Sequence, residues 1–249
     1  MKSIIQLSHA LSPGDAISSE VISLHRAFQE QGIDSRIAVI ACHADLRHLA
    51  IELHDGVKLD ESDGIILHYS MDSEVNKYFM NSKCANRIFR YHNVTPGEFF
   101  QSYNHKVAED CYAGRKKTKE VMLSATHITA CSIYSCEELT ALGGTNCKCI
   151  PLSLDYNRLS ISPNDALMQR LIKQTNILTV GRLAPNKCVH DVIKSFYFYH
   201  EKINKNSMLW IVGHDIDTEI YSFELRALVT ELGLEQSVGF LGGVTDSEL

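Results

Sequence analysis

"ILTVGRLAPNKCVHDVIKSF", residues 177–196, carries the clearest structural signal in the chain. An apolar run closes on Gly181, a short polar connection follows, and a helical pattern begins near Val189, so the segment reads as strand, turn and helix. Arg182 and Lys187 stand five apart in that connection, after the carboxyl end of the predicted strand and beside the start of the next helix. Such a position favours anions through free backbone N–H groups and the helix dipole. A planar Arg fork and a mobile Lys ammonium add the means to hold phosphate oxygens, and Pro185 stiffens the turn between them. Spacing alone leaves a second reading open, two solvated cations on a loop.

The same alternation runs outward in both directions. Downstream come the strand "SMLWIVGHD", the helix "EIYSFELRALVTELGL" and the strand "SVGFLGG", and at "VTDSEL" Thr245 reads as the cap of a helix just begun. Upstream, "SIIQLSH" reads as a strand and "AISSEVISLHRAFQEQG" as a helix, with Ile17, Val21, Leu24 and Phe28 on one face and Gly32 as its stop. "SRIAVIA", "DGIILHY", "NRIFRYH", "THITACS" and "CKCIPL" follow as strands. Helical stretches lie at "SEVNKYFMNS", across roughly residues 104–125, and at "CEELTALGG". Strands that alternate with helices predict an α/β protein whose mostly parallel sheets are covered on both faces, with ligands at the carboxyl ends of the strands. "SLDYNRLSISPNDALMQRLIKQ" breaks the rhythm and reads as a link, giving domains at 1–155 and 175–249 joined by 156–174. Three strands and two helices make only half of a doubly wound domain, so the second domain is expected to be incomplete.

Bulk properties exclude several classes. The 249 residues carry 24 Lys and Arg against 30 Asp and Glu, a net charge of -6, which opposes general nucleic-acid binding. No apolar run approaches the roughly 20 residues that span a bilayer. The opening "MKSIIQLSHALSPGD" reads as a strand entering a turn and not as a signal peptide. The eight cysteines show no CxxC spacing and read as buried or half-buried free thiols, which fits a cytoplasmic setting. Cys147 and Cys149 fall on one face of a predicted strand.

Among the motifs, "SPGDAISSE" places Gly14 where backbone can approach a ligand closely, and Ser12, Asp15 or Ser18 where a helix needs a cap. It is neither GxGxxG nor a Walker A sequence. "RYHNVTPGEFF" puts His92 at the end of a strand, before a loop with Glu98. It is a candidate polar contact or acid/base group, or a His satisfied by local carbonyls. "CHADLRHL" gathers Cys42, His43, Asp45 and His48 without a recognised metal-ligand spacing. Arg115, Lys116, Lys117 and Lys119 form a basic cluster that reads as a solvated helix face or as a contact with anionic lipid.

Together, "LTVGRLAPNK", "WIVGHD" and "VGFLGGVTDSEL" resemble the donor-binding half of the family-four (group 1) glycosyltransferases. "SPGDAISSEV", "GIILHYSM", "RYHNVTPGEFF", "AGR" and "SIYSCEELTALG" fall in the order of a bacterial branch of that family. The resemblance implies the GT-B fold, two Rossmann-like domains with a nucleotide sugar between them, residues 1–155 on the acceptor side and 175–249 on the donor-nucleotide side. It implies that Arg182 and Lys187 neutralise the donor diphosphate, that Gly14 and Asp15 face phosphates and acceptor, and that Gly213 lines the nucleotide side, with His214 an unusual neighbour. His92 would lie near the donor sugar as the candidate catalytic group. The implied activity is retaining transfer of a hexose, with mannose one option, to a glycan or lipid-linked acceptor in surface polysaccharide or lipopolysaccharide synthesis. No cofactor or catalytic metal is implied, and the enzyme would be cytoplasmic or peripheral to the inner membrane. The family's ExxxxxxxE signature would lie beyond Leu249. The expected alternative is therefore a truncated, non-catalytic remnant that binds sugar nucleotide weakly or serves as an assembly partner.

Overall fold

The computed structural model describes residues 2–54, 62–153, 160–162, 164–245 and 247–249. Two compact units emerge, Met1–Gly97 with Glu109–Leu154, and Glu98–Ala108 with Asp155–Leu249. The sequence-expected first domain thus gives up Glu98–Ala108 to the second unit, and positions 154–159 and 163 of the linker region lie outside the described residues.

The first unit is built on a parallel sheet of order β3-β2-β1-β4-β5-β6-β7. Its strands are β1 (Ser3–Leu11), β2 (Asp34–Cys42), β3 (Ala50–Glu52), β4 (Gly64–Tyr69), β5 (Asn86–Tyr91), β6 (His127–Ala130) and β7 (Lys148–Cys149). Central position explains the apolar runs: β4 is buried at every residue and β1 nearly so, as strands covered on both faces require. The helices are α1 (Ala16–Glu30), α2 (Glu74–Asn81), α3 (His105–Leu123), which falls in this unit from Glu109 on, and α4 (Ile133–Ala141). Residues 44–52, unassigned in the sequence reading, form a 3-10 turn and the edge strand β3. "CHADLRHL" falls there, and His43 Nδ1 accepts from Asp45 N at 3.4 Å to open the turn.

α1 starts where Asp15 caps it and stops at Gly32, whose φ of 72° no β-substituted residue adopts cheaply. Its buried residues are Ser18, Glu20, Val21 and His25, so the inward stripe is rotated from the expected Ile17–Val21–Leu24–Phe28 face. Polar groups can occupy that stripe because each has a partner inside: Arg90 for Glu20 and Ser35 for His25.

The second unit carries a parallel sheet of order β10-β9-β8, from β8 (Thr175–Val180), β9 (Ser207–Val212) and β10 (Val238–Gly242). α5 (Asp165–Leu171), α6 (Val189–Lys202) and α7 (Glu219–Glu231) accompany it. Leu183, Val189, Ile193, Phe196, Leu209 and Ile211 pack with Tyr221 and Leu225 as its core. β8 pairs only with β9 among the described residues. The helix expected after Thr245 is not formed among the described residues, where 247–248 make a turn; Thr245 N and Oγ1 both donate to Glu248 Oε2, at 2.9 and 2.7 Å. All eight cysteines are free, and Cys149 is exposed, contrary to the expectation of burial. No helix among the described residues is long and apolar enough to cross a membrane.

Candidate functional site

In the second unit, candidate groups gather at the carboxyl ends of the strands. Gly181 N donates to Val212 O at 2.9 Å, Gly213 N to Gly242 O at 2.8 Å, and Leu183 N to His214 O at 2.8 Å. These bonds sew the loop after β8 to the turn after β9. At Gly213, φ is 147° and a Cβ would meet Gly181 O at 1.9 Å, so only glycine lets the two segments approach. Leu183, Ala184 and Pro185 are buried and anchor the loop, and Thr218 Oγ1 donates to Leu183 O at 2.7 Å.

On this anchored loop Arg182 and Lys187 stay exposed, and neither has a carboxylate partner among the described residues. The Arg182 guanidinium lies over the Phe100 ring, 5.9 Å from its centroid. Pro185–Lys187 forms a 3-10 turn, and Cys188 takes a left-handed φ of 50° before α6 begins. Asn186 Oδ1 is buried without a hydrogen-bond partner among the described residues. The helix start is less open than the sequence reading expected. His190 N donates to the Tyr221 hydroxyl at 3.3 Å, and His190 Nδ1 lies 2.7 Å from the same oxygen. The site's attraction for an anion therefore rests more on the two side-chain cations than on free N–H groups.

In the first unit, Gly14 sits exposed in the β1–α1 turn with φ 75° and open space where a Cβ would be. Asp15 follows as the α1 cap: its Oδ2 accepts from Ser18 N and from Ser18 Oγ, both at 2.8 Å. That carboxylate is engaged in holding the turn.

His92 stands just past β5, and its N–H donates to Tyr69 O at 2.9 Å. Asn93 then turns the chain with φ 69°. Strand register sets His68 beside Arg90, and the two-residue alternation brings Gln6, His68, Arg90 and His92 to one face of the sheet. Glu20 of α1 meets them from above that face: Arg90 Nε and Nη2 lie 3.2 and 2.5 Å from its two carboxylate oxygens. His92 Nε2 lies 3.3 Å from Glu20 Oε2 and 3.0 Å from His68 Nδ1, and the rings stack at 5.2 Å. His68 Nε2 lies 3.0 Å from Gln6 Oε1, while Gln6 Nε2 donates to Val21 O at 3.0 Å.

Burial, reinforced by the Arg90 charge, lowers the His92 pKa to about 3. Burial also holds His68 well below the usual imidazole range, with His92 and Arg90 adding to the effect. Both rings are neutral at pH 7, and His92 serves there as a hydrogen-bonding group. Ligand-type atoms of Glu20, His68 and His92 lie within 4.8 Å of one another, but the Arg90 guanidinium already on Glu20 opposes a second cation there.

Gln6, Glu20, His68 and Arg90 escaped the sequence reading. The available signal was a polar residue inside an otherwise apolar element, as in "SIIQLS", "GIILHY" and "RIFRY". Of the basic cluster, Arg115 pairs with Glu138 at 2.7 Å and Lys117 with Asp72 at 2.6 Å, so half of it serves the unit's own structure.

Residues 169–249, the stretch that bears Arg182, Lys187 and Gly213, match the profile of the family described as glycosyl transferases group 1. The whole chain superposes on solved glycosyltransferase structures. The fold is GT-B. Anabaena Alr3699/HepE, solved with UDP and glucose, gives a TM-score of 0.72 at 20% identity over 99% of this chain and 70% of that one. WaaG, a glycosyltransferase involved in lipopolysaccharide biosynthesis, gives 0.68 at 13% identity over 98% and 70%. Sucrose-phosphate synthase (tll1590) from Thermosynechococcus elongatus gives 0.72 at 15% identity over 99% and 72%. No curated protein sequence matches the chain. Within the GT-B fold, the ends of β8 and β9 and the turn after β1 are strand-end positions of the kind at which α/β sheets hold ligands.

Proposed function

We propose that the chain acts in glycosyl transfer, binding a nucleotide sugar and moving its hexose with retention to a glycan or lipid-linked acceptor. The observation that carries the reading is the pair of exposed, unneutralised cations, Arg182 and Lys187, on a loop held by buried anchors within the group 1 profile match. Their charges fit the two phosphates of a donor and become worth more as the leaving diphosphate gains charge in the transition state. Gly213 keeps that loop in place, and Gly14 and Asp15 form the turn that meets ligand in the first unit. His92 offers a neutral contact for a sugar hydroxyl. The leaving diphosphate takes the acceptor proton in this scheme, and neither a metal nor a further cofactor takes part.

Mannosyl transfer in surface polysaccharide synthesis is the narrower form of the proposal. A lipid-linked acceptor would place the protein at the cytoplasmic face of the inner membrane, with Lys116 and Lys119 available to anionic lipid. The test is a panel of UDP-, GDP- and ADP-sugars, scored for melting-temperature shift and for release of nucleotide diphosphate with lipid-linked and free glycan acceptors. Stabilisation by one donor together with turnover supports the enzyme, and stabilisation without turnover on any acceptor supports a binding protein. No stabilisation by any donor contradicts both.

A further inference from the structure

The buried polar chain in the first unit fixes more than the position of His92. Its polarity can be read from one end, because a backbone carbonyl can only accept. Val21 O receives a hydrogen bond from Gln6 Nε2 at 3.0 Å, which turns the amide so that Gln6 Oε1 faces His68. That oxygen is an acceptor, so the proton on His68 must reside on Nε2, 3.0 Å away. A neutral imidazole carries one N–H, which leaves His68 Nδ1 as an acceptor. His92 Nε2, 3.0 Å from that lone pair and 3.3 Å from Glu20 Oε2, faces two acceptors and so must carry the proton. The His92 lone pair then lies on Nδ1, which has no hydrogen-bond partner among the described residues and keeps some solvent access although the side chain as a whole is only 3% exposed.

We propose that Gln6, His68 and Glu20 are positioning residues that lock His92 in the Nε2–H form. The ring then offers its ligand an acceptor at Nδ1 and no donor. The group it takes is a hydroxyl that donates, such as one on a sugar ring, and a carbonyl or phosphate oxygen at the same place is disfavoured. Arg90 completes the device by donating from Nε and Nη2 to the two Glu20 oxygens, which orients the carboxylate with Oε2 toward His92. A metal ion is a poorer occupant of the same three atoms, because the chain of donors already assigns the space to a proton and Arg90 supplies the positive charge. The hydroxyl part of this inference rests on the ligand-facing role proposed for His92 above; the tautomer part does not.

Long-range proton–nitrogen correlation spectra of the 15N-labelled full chain at pH 7 test it directly. Both His68 and His92 are expected as neutral Nε2–H rings. A His92 ring protonated on Nδ1, or on both nitrogens, overturns the inference, as does a shift of both rings to metal-bound positions on adding stoichiometric Zn²⁺. In Gln6→Leu, His68 loses the acceptor that sets its tautomer, and the Nδ1–H form of His92 is expected to appear although residue 6 does not touch it. A pure Nε2–H spectrum for His92 in that variant removes Gln6 from the device, while the wild-type spectrum stands as a test even if the variant fails to fold. Adding UDP-glucose or GDP-mannose should move the His92 Nδ1 signal toward its hydrogen-bonded position. Calorimetric binding with Nδ1 unmoved overturns the hydroxyl contact. If neither donor binds, the proposed function fails, and the ligand-free spectrum still decides the tautomer.

Discussion

Gly213→Ala should disrupt the loops at the carboxyl ends of β8 and β9, and the structure gives the size of the effect. A Cβ at 213 would lie 1.9 Å from Gly181 O and 2.6 Å from Gly181 C, so backbone and not a flexible side chain must move. Relief means displacing the segment whose bonds are Gly181 N to Val212 O, at 2.9 Å, and Leu183 N to His214 O, at 2.8 Å. Losing both costs about 1 kcal/mol each. Forcing alanine to a φ reserved for glycine adds of order 1–3 kcal/mol. The sum is about 3–5 kcal/mol. Gly233→Ala is the control: it too has positive φ, 67°, but nothing lies within 4 Å of its Cβ position, so the cost stays near 1–2 kcal/mol. Trp210, the single tryptophan, sits on β9 and donates to Asn176 Oδ1 at 2.8 Å, so its fluorescence follows the second unit alone during urea unfolding. The two costs differ by about 2–3 kcal/mol at mid-range, so with a slope of about 2 kcal/mol per molar urea the Gly213→Ala midpoint should lie about 1 M below that of Gly233→Ala. Equal midpoints for the two variants would refute the close-approach argument. The same shift should carry Arg182 away from its anchored position, so donor affinity should fall in Gly213→Ala and persist in Gly233→Ala.

Acid should weaken the first unit through its buried histidines. His92 has a folded pKa of about 3 against 6.5 when unfolded, so between those values the unfolded chain binds more protons and stability falls as pH drops. From pH 7 to pH 5 this one group accounts for about 2 kcal/mol, and circular-dichroism unfolding of His92→Gln should show a flatter pH dependence by that amount. An identical pH slope in the variant would remove His92 from the acid response. Glu20→Ala leaves the Arg90 guanidinium, only 4% exposed, without its carboxylate and should cost about 3–5 kcal/mol by chemical denaturation. Arg115→Ala removes both the ion pair with Glu138 and a hydrogen bond to Val94 O, at 2.8 Å, and should cost about 1–2 kcal/mol with donor binding intact.

The architecture was legible because doubly covered strands announce themselves. "GIILHY" is apolar but for His68, "SRIAVIA" is apolar after its first two residues, and glycines at 32, 181 and 213 mark strand or helix ends. Residues 44–52 escaped because "ADLRHLAIE" keeps neither a two-residue nor a helical period, and β3 holds only three residues. The candidate groups Arg182, Lys187 and His92 were visible because each lies in a connection that follows an apolar strand. Their support was not. Glu20 meets Arg90 across 70 positions and His68 meets Gln6 across 62, and no local pattern encodes such pairings. α1 carries the consequence, since a helix that buries Glu20 and His25 cannot be oriented by its apolar residues alone. Nor could the sequence say why residue 213 is glycine, because the reason is the carbonyl of Gly181 on the neighbouring strand end.

Calorimetric titration of UDP and GDP into wild-type protein, Arg182→Ala and Lys187→Ala bears most directly on the anion-holding role proposed for the loop after β8. Each cation removed from a phosphate is worth about 1.5–3 kcal/mol, so each variant should bind the preferred nucleotide at least about tenfold more weakly, with the Trp210 unfolding midpoint unchanged. Affinity undiminished in both variants would contradict the account.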